Sequence, residues 1–149
     1  MTEIASQEPL VDIPGYRLEE KPPTPATFVA LRDAAGMGSR SLEAAERGLP
    51  NSVYAVHVVH GDSGETVGMG RIVGDDGAVY HISDMAVHPD HQGRGLGTAI
   101  MNALWGYIET TAPDTAYVNL VADVDGFYEQ WGFEPVQPAS RGMAVRLEE

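Results

Sequence analysis

The run His91-Gln92-Gly93-Arg94-Gly95-Leu96-Gly97 carries three glycines at alternate positions, directly ahead of a stretch with helical periodicity. Glycines at a strand-to-helix junction let the backbone approach a ligand closely, and the unpaired amides of a helix start present donors and a partial positive charge. Such a turn suits a phosphate or pyrophosphate, even on an acidic protein. Its Gly-x-Gly-x-Gly spacing is not the Gly-x-Gly-x-x-Gly of dinucleotide-binding turns, and no Gly-Lys-Ser/Thr follows, so neither nucleotide motif fits. For proton transfer the candidates are histidines. His81 is in period-2 register with Ser83, Met85 and Val87, which places the four on one face of a strand. There His81 can serve as a general base with Ser83 assisting. Asp84 then falls on the other face as a structural hydrogen-bond acceptor, unless a bulge re-aims it. His57 and His60, three apart on a strand, point to opposite faces, and His88 and His91 flank a loop proline. Neither pair supports a metal site, and no metal is expected.

Composition narrows the chemistry further. The chain has no cysteine, which removes disulfides, thiolate zinc sites and cysteine nucleophiles. Nine Lys and Arg against 22 Asp and Glu give a formal charge of -13, with no basic stripe to follow a nucleic-acid backbone. No apolar run approaches the roughly 18 to 20 residues that span a bilayer. The acidic opening Met1 to Gly15, broken by Pro9 and Pro14, has neither the basic start nor the apolar run of a secretory signal. A cytoplasmic protein is expected, without nucleic-acid or membrane partners. A length of 149 residues with 43% hydrophobic content suits one domain over 1–149, with 1–14 as a flexible tail.

The elements that must position these residues follow from pattern. Tyr16 to Leu18 reads as a short strand. Thr24 caps and Pro25 opens a helix through Ala35, stopped at Gly36-Met37-Gly38, and a second short helix covers Ser41 to Arg47. Ser52 to His60, Thr66 to Val73 and Ala78 to Val87 are strands of a meander, separated by the turns Gly61-Asp62-Ser63-Gly64 and Gly74-Asp75-Asp76-Gly77. From Leu96 the apolar period becomes four, through Ile100, Leu104 and Ile108, which predicts an amphipathic helix. Ala116 to Ala122 reads as a strand, Asp123 to Trp131 as a short helix, and Phe133 to Val136 and Met143 to Leu147 as closing strands. The strand, long helix and following strand make a crossover, so the strands around His81 and Tyr117 should be parallel neighbours and the others antiparallel.

The stretch from Asp84 to Gly97, with Gln92, Gly95 and Gly97 matching the pattern Gln/Arg-x-x-Gly-x-Gly/Ala, resembles the acetyl-CoA-binding segment of the GNAT superfamily of N-acetyltransferases. Gly126-Phe127-Tyr128-Glu129-Gln130-Trp131-Gly132-Phe133 is similar to the family's tyrosine-bearing helix and its Gly-Phe. The two motifs are independent and correctly ordered, and the similarity covers roughly residues 52 to 147. The resemblance implies an α/β fold of α+β type: a mixed, mostly antiparallel sheet flanked by helices, with a parallel pair splayed at a cofactor slot between Val87 and the strand of Asn119.

It also implies that Met85, Ala86 and Val87 offer backbone groups to the pantetheine arm and thioester, while Gln92, Gly93, Arg94, Gly95, Leu96, Gly97 and Thr98 surround the pyrophosphate. Tyr128 matches the family's general acid for the departing thiolate. Many members carry an asparagine near the start of the tyrosine helix, whereas this chain has Asp123-Val124-Asp125-Gly126 there and Asn119 earlier, on the strand. The activity implied is acetyl transfer from acetyl-CoA to a small primary amine or an exposed amino group, by direct attack in a ternary complex. Tyr16, Phe28, Leu31, Arg32, Met37, Arg40 and Tyr54 are candidates for the acceptor pocket. A non-catalytic acyl-CoA-binding regulatory domain is the alternative, and homodimers are common in the family.

Overall fold

The computed structural model describes residues 13–147, so the tail expected at 1–14 lies almost wholly outside the described residues. The chain forms β1 (Tyr16–Glu19), α1 (Pro25–Ala34), α2 (Leu42–Gly48), β2 (Tyr54–His60), β3 (Thr66–Gly74), β4 (Val79–Val87), α3 (Leu96–Thr111) and β5 (Tyr117–Leu120), with 3-10 turns at Leu49–Asn51, Pro89–His91 and Tyr128–Trp131. Local chemistry explains the two short helices. The Thr24 hydroxyl accepts the Thr27 amide at 3.2 Å with proline opening the first turn, and the Ser41 hydroxyl accepts the Ala44 amide at 3.0 Å.

The strands lie in the order β1-β2-β3-β4-β5. Neighbours are antiparallel up to β4, while β4 and β5 are parallel from Val79↔Tyr117 to Ile82↔Leu120, joined by the α3 crossover. One face packs Val56, Val58, Ile72, Tyr80 and Ile82 against Leu96, Ile100, Leu104 and Ile108 of α3. On the other, Met69 and Ala86 lie beneath Phe28 and Leu31 of α1 and Ala45 of α2.

β4 changes phase at its centre, which corrects the expected alignment of its side chains. Ser83 pairs with Arg71 and Ala86 with Met69, so Asp84 and Met85 together stand opposite Gly70 alone. Asp84 takes φ +60°, in the left-handed region. Before this bulge Tyr80 and Ile82 face α3, so His81 and Ser83 face α1 and α2. After it Ala86 packs under α1, and Met85 and Val87 pack on the α3 side. Met85 and Val87 therefore do not share a face with His81 and Ser83. Gly70 makes the switch possible, because a Cβ there would meet Met85 Sδ and Ile100 Cγ2 at 2.7 Å.

The chain after β5 also departs from expectation. Residues 123–131 form a 3-10 turn at Tyr128–Trp131 and no longer helix, since Asp-Val-Asp-Gly is a poor helix former and Gly126 sits at φ +81°. Phe133 to Val136 and Met143 to Leu147 are not strands. Pro135 and Pro138 remove ladder donors, and Met143, Val145 and Leu147 are exposed, so their alternation buries no face.

The β3–β4 turn is built from acid side chains. Asp75 Oδ1 accepts the amides of Gly77, Ala78 and Val79 at 2.8 to 2.9 Å, and Asp76 accepts the phenols of Tyr80 and Tyr107. Burial first, then the bond to Asp76, pushes the Tyr80 phenol up to about 12, and the same causes raise Tyr107. A phenol whose pKa is raised on folding adds stability that is complete below the unfolded value, about 10, and is lost as pH climbs through the folded value. The urea midpoint is expected to fall as pH rises from about 10 to 12, and Tyr80→Phe should fall less steeply over that window.

Candidate active site

Two interruptions of the β ladder create the site. Parallel pairing to β5 ends at Ile82↔Leu120, and the bulge takes Asp84 and Met85 out of register with β3. Among the described residues the edge of β4 from Ser83 to Val87 therefore has no ladder partner on the β5 side, which leaves backbone donors beside a gap in the sheet.

His81 stands at the last paired turn of that gap. Its Nδ1 is 2.6 Å from Asn119 Oδ1, across the parallel pair where the two residues are in register. The amide Nδ2 of Asn119 turns toward the Tyr80 carbonyl. An amide oxygen only accepts, so this contact needs the hydrogen on Nδ1, and in that tautomer Nε2 is the accepting nitrogen. The side chain of Asn119 thus orients His81.

At the far end of β4 the glycine turn is held from several sides. Gly93 and Gly95 take φ +80° and +87°, and Gly95 caps α3 with no side chain to block its first amides. Gln92 Nε2 donates to the Val87 carbonyl at 3.0 Å, tying the turn to the strand. Arg94 donates to the Tyr16 hydroxyl at 2.7 Å, and that hydroxyl donates to His91 Nδ1 at 2.7 Å. Burial first, then the neighbouring His60 and Arg94 charges, lower the His91 pKa, which suits a ring that accepts here. Leu96 is buried in the core, so only its backbone faces the turn. Gly97 and Thr98 lie in the first turn of α3.

Tyr128 belongs to the 3-10 turn that closes over the α3 side. Its ring packs edge-on against Phe127 and Phe133, with centroids at 4.9 and 6.5 Å. The Trp131 indole donates to Asn102 of α3 at 3.0 Å and anchors the turn. Burial, then the Asp123 charge, pushes the Tyr128 phenol up, so it holds its proton throughout the neutral range. It lines a cavity of about 400 Å³ with Trp105, Asn119, Leu120 and Phe133.

Several acceptor-pocket candidates have other duties. Tyr16 braces the glycine turn, and Tyr54 stacks on Tyr107 of α3 at 4.8 Å with its hydroxyl on Glu20. Arg32 is buried against Asp84. Phe28 and Leu31 are core under the sheet with Met37 packed beside them, and Arg40 is exposed. Arg71, which sequence reasoning did not single out, donates from Nε to Asp84 Oδ2 at 2.7 Å. Its only sequence signal is a cation interrupting the apolar run of β3.

A helix-flanked sheet whose parallel pair parts beside a glycine-lined helix start, with a protonated phenol packed on the α3 side beside β5, has the architecture of an acyl-group transferase. Residues 52–135 match the family model described as the acetyltransferase (GNAT) domain, and the chain belongs to this family. Its fold is that of a Staphylococcus aureus protein of unknown function described as a probable acetyltransferase, at TM-score 0.84 and 38% identity over 89% of this chain and 99% of that one. A GNAT family protein from Streptococcus pneumoniae shares the fold at TM-score 0.70 and 20% identity, over 89% of this chain and 98% of that one. An uncharacterized N-acetyltransferase from Porphyra purpurea, ycf52, is 30% identical over 76% of this chain, which spans 66% of that relative's length. Among the described residues no helix is long and apolar enough to cross a membrane.

Proposed function

We propose that the chain, as one domain over 1–149, transfers the acetyl group of acetyl-CoA to a primary amine by direct attack in a ternary complex. The observation that carries this reading is the unpaired β4 edge at Ser83–Val87, with His81 on one face of the sheet and Tyr128 packed on the other. The residues fit the cosubstrate. The glycine turn is open, since a Cβ at Gly93 would meet nothing within 4 Å, and the free α3 amides beside it suit a pyrophosphate.

Bound there, acetyl-CoA supplies an acyl carbon activated as a thioester. The backbone of Met85, Ala86 and Val87 lines the arm, and those of its amides that face away from β3 donate to the carbonyl oxygen as it gains charge, without reorganising. Gln92, Gly93, Arg94, Gly95, Leu96, Gly97 and Thr98 hold the phosphates, and Asn119 lies along the slot. His81 Nε2 takes a proton from the incoming amine, with Ser83 beside it on the same face, and Tyr128 gives its proton to the leaving sulfur. No cysteine is available for an acyl-enzyme. The charge of -13 favours encounter with cationic acceptors, a small amine or an exposed amino group. The cytoplasm is the proposed location.

The test is mass spectrometry of an incubation with acetyl-CoA and a pool of amines, amino acids, polyamines and peptides, with released thiol followed in parallel. One acceptor heavier by one acetyl group is the expected result. CoA binding with no acetylated product would favour a regulatory acyl-CoA-binding domain, and no CoA binding would overturn the reading.

A further inference from the structure

One buried cluster is not used in that mechanism. Asp84, 7% exposed, accepts Arg32 Nη1 on Oδ1 at 2.5 Å and Arg71 Nε on Oδ2 at 2.7 Å. Arg32, 4% exposed, aims two further donors at one atom: Nε and Nη2 reach the Gly38 carbonyl at 2.9 and 2.7 Å. Arg71 Nη1 reaches Ser52 Oγ at 3.1 Å and the Gly48 carbonyl at 3.3 Å, and its guanidinium lies over the Phe28 ring at 5.8 Å. One carboxylate thus gathers the bulge of β4, the loop between α1 and α2, and the end of α2.

Stability alone is a poor account of this arrangement. Two guanidinium groups, one buried and one partly exposed, on one carboxylate hold a net positive charge largely away from water, and apolar groups of similar volume are often as stable. Burial lowers the Arg32 pKa, and Asp84 opposes that shift. What the cluster does supply is position. Asp84 occupies left-handed backbone inside a strand, a conformation a side chain adopts only when its surroundings hold it. The next residue is Met85, the first whose amide would serve the thioester. The same carboxylate, through Arg32, fixes Gly38 in a loop of the layer that covers the His81 and Ser83 face.

We propose that Asp84 is a positioning residue: clamped by Arg32 and Arg71, it locks the β4 bulge so that the Met85 amide faces the slot. It also ties the α1–α2 loop to the same strand, so that acyl and acceptor groups meet at a fixed separation. This rests on the acetyl-transfer reading above. The isosteric Asp84→Asn removes the charge, and kcat is expected to fall about 100-fold, as for a reacting group displaced by about 1 Å. Affinity for CoA should change far less than kcat, because the phosphates are held at the glycine turn and not at the bulge. Rates are taken in single turnovers per CoA-binding site, so unfolded protein does not contribute, and hydrogen exchange should quicken at the amides of 84–87 and 36–40 together.

Arg32→Lys supplies the second arm should Asp84→Asn not fold. A lysine can pair with Asp84 but cannot also present the two-pronged contact to Gly38. It should quicken exchange at 36–40 while 84–87 stays protected, and raise the acceptor KM more than it lowers kcat. Wild-type turnover per CoA site in Asp84→Asn, or unchanged exchange at 36–40 in Arg32→Lys, would overturn the proposal. A wild-type protein that acetylates no amine would count against the transferase reading instead, and the exchange patterns would still decide whether the clamp holds the bulge.

Discussion

Replacing Tyr128 by phenylalanine is expected to lower kcat between about 100- and 10,000-fold, the range for loss of a positioned general acid, and to leave CoA affinity unchanged. The two effects separate because the ring and the hydroxyl have different tasks. The ring is wedged between Phe127 and Phe133, and phenylalanine keeps both contacts. The hydroxyl makes no hydrogen bond to another described residue, so its loss strands no partner. With its pKa pushed above the ordinary phenol value by burial and by Asp123, the group remains protonated across the neutral range. Any alkaline fall in kcat that it causes therefore belongs above about pH 10, and that fall should vanish in the variant. Steady-state thiol release with calorimetric CoA binding makes the check. A variant with wild-type kcat would remove Tyr128 from the reaction.

The largest effect on stability is expected from Gly74→Ala, at the end of β3. Gly74 takes φ +144°, and a Cβ there would lie 2.1 Å from the Val79 carbonyl oxygen and 3.0 Å from its carbon. Those are backbone atoms, so relief requires opening the hairpin itself. Gly74 pairs with Tyr80 and the preceding Val73 with His81, and opening it slides His81 away from Asn119. Strain in this glycine region costs about 1–3 kcal/mol by itself. With the lost pairing, a destabilisation of at least about 3 kcal/mol is expected in urea unfolding. Gly106→Ala is the internal control. It lies within α3, a Cβ there meets nothing within 4 Å, and alanine should add about 0.5–1 kcal/mol. Equal behaviour of the two variants would refute the steric argument.

What could be read in advance was whatever repeats locally. The four-residue period from Leu96 and the alternation of the three meander strands produced the long helix, the hairpins and the parallel crossover. The glycine turn was legible because its job rests on backbone, which glycine marks directly. The bulge was not, although its possibility at Asp84 was. Tyr80, Ile82 and Ala86 keep an unbroken alternation on paper, while the phase change depends on Gly70 in the next strand and on arginines from α1 and β3. The link between His81 and Asn119 spans 38 positions, so only the parallel register discloses it. The alternation of Met143, Val145 and Leu147 misled for the opposite reason. It shows which side chains would share a face, but a strand forms only where a neighbouring ladder accepts it.

Strand order in the sheet is identical to strand order in the chain, and this bears on how the molecule assembles. Strands β2 to β4 can zip together through short turns, each closing a small loop at modest entropic cost. Two pairings close across helices: β1–β2 spans α1 and α2, from Glu19 to Tyr54, and β4–β5 spans the whole of α3, from Val87 to Tyr117. Chain entropy therefore delays β1 until α1 and α2 have docked, and it delays the β4–β5 closure until the crossover helix has docked on the meander. His81, Asn119 and the gap beyond Ile82 all lie at this seam. A nascent chain thus acquires its hydrophobic centre before its chemistry, and the reacting groups come together only after the meander has formed.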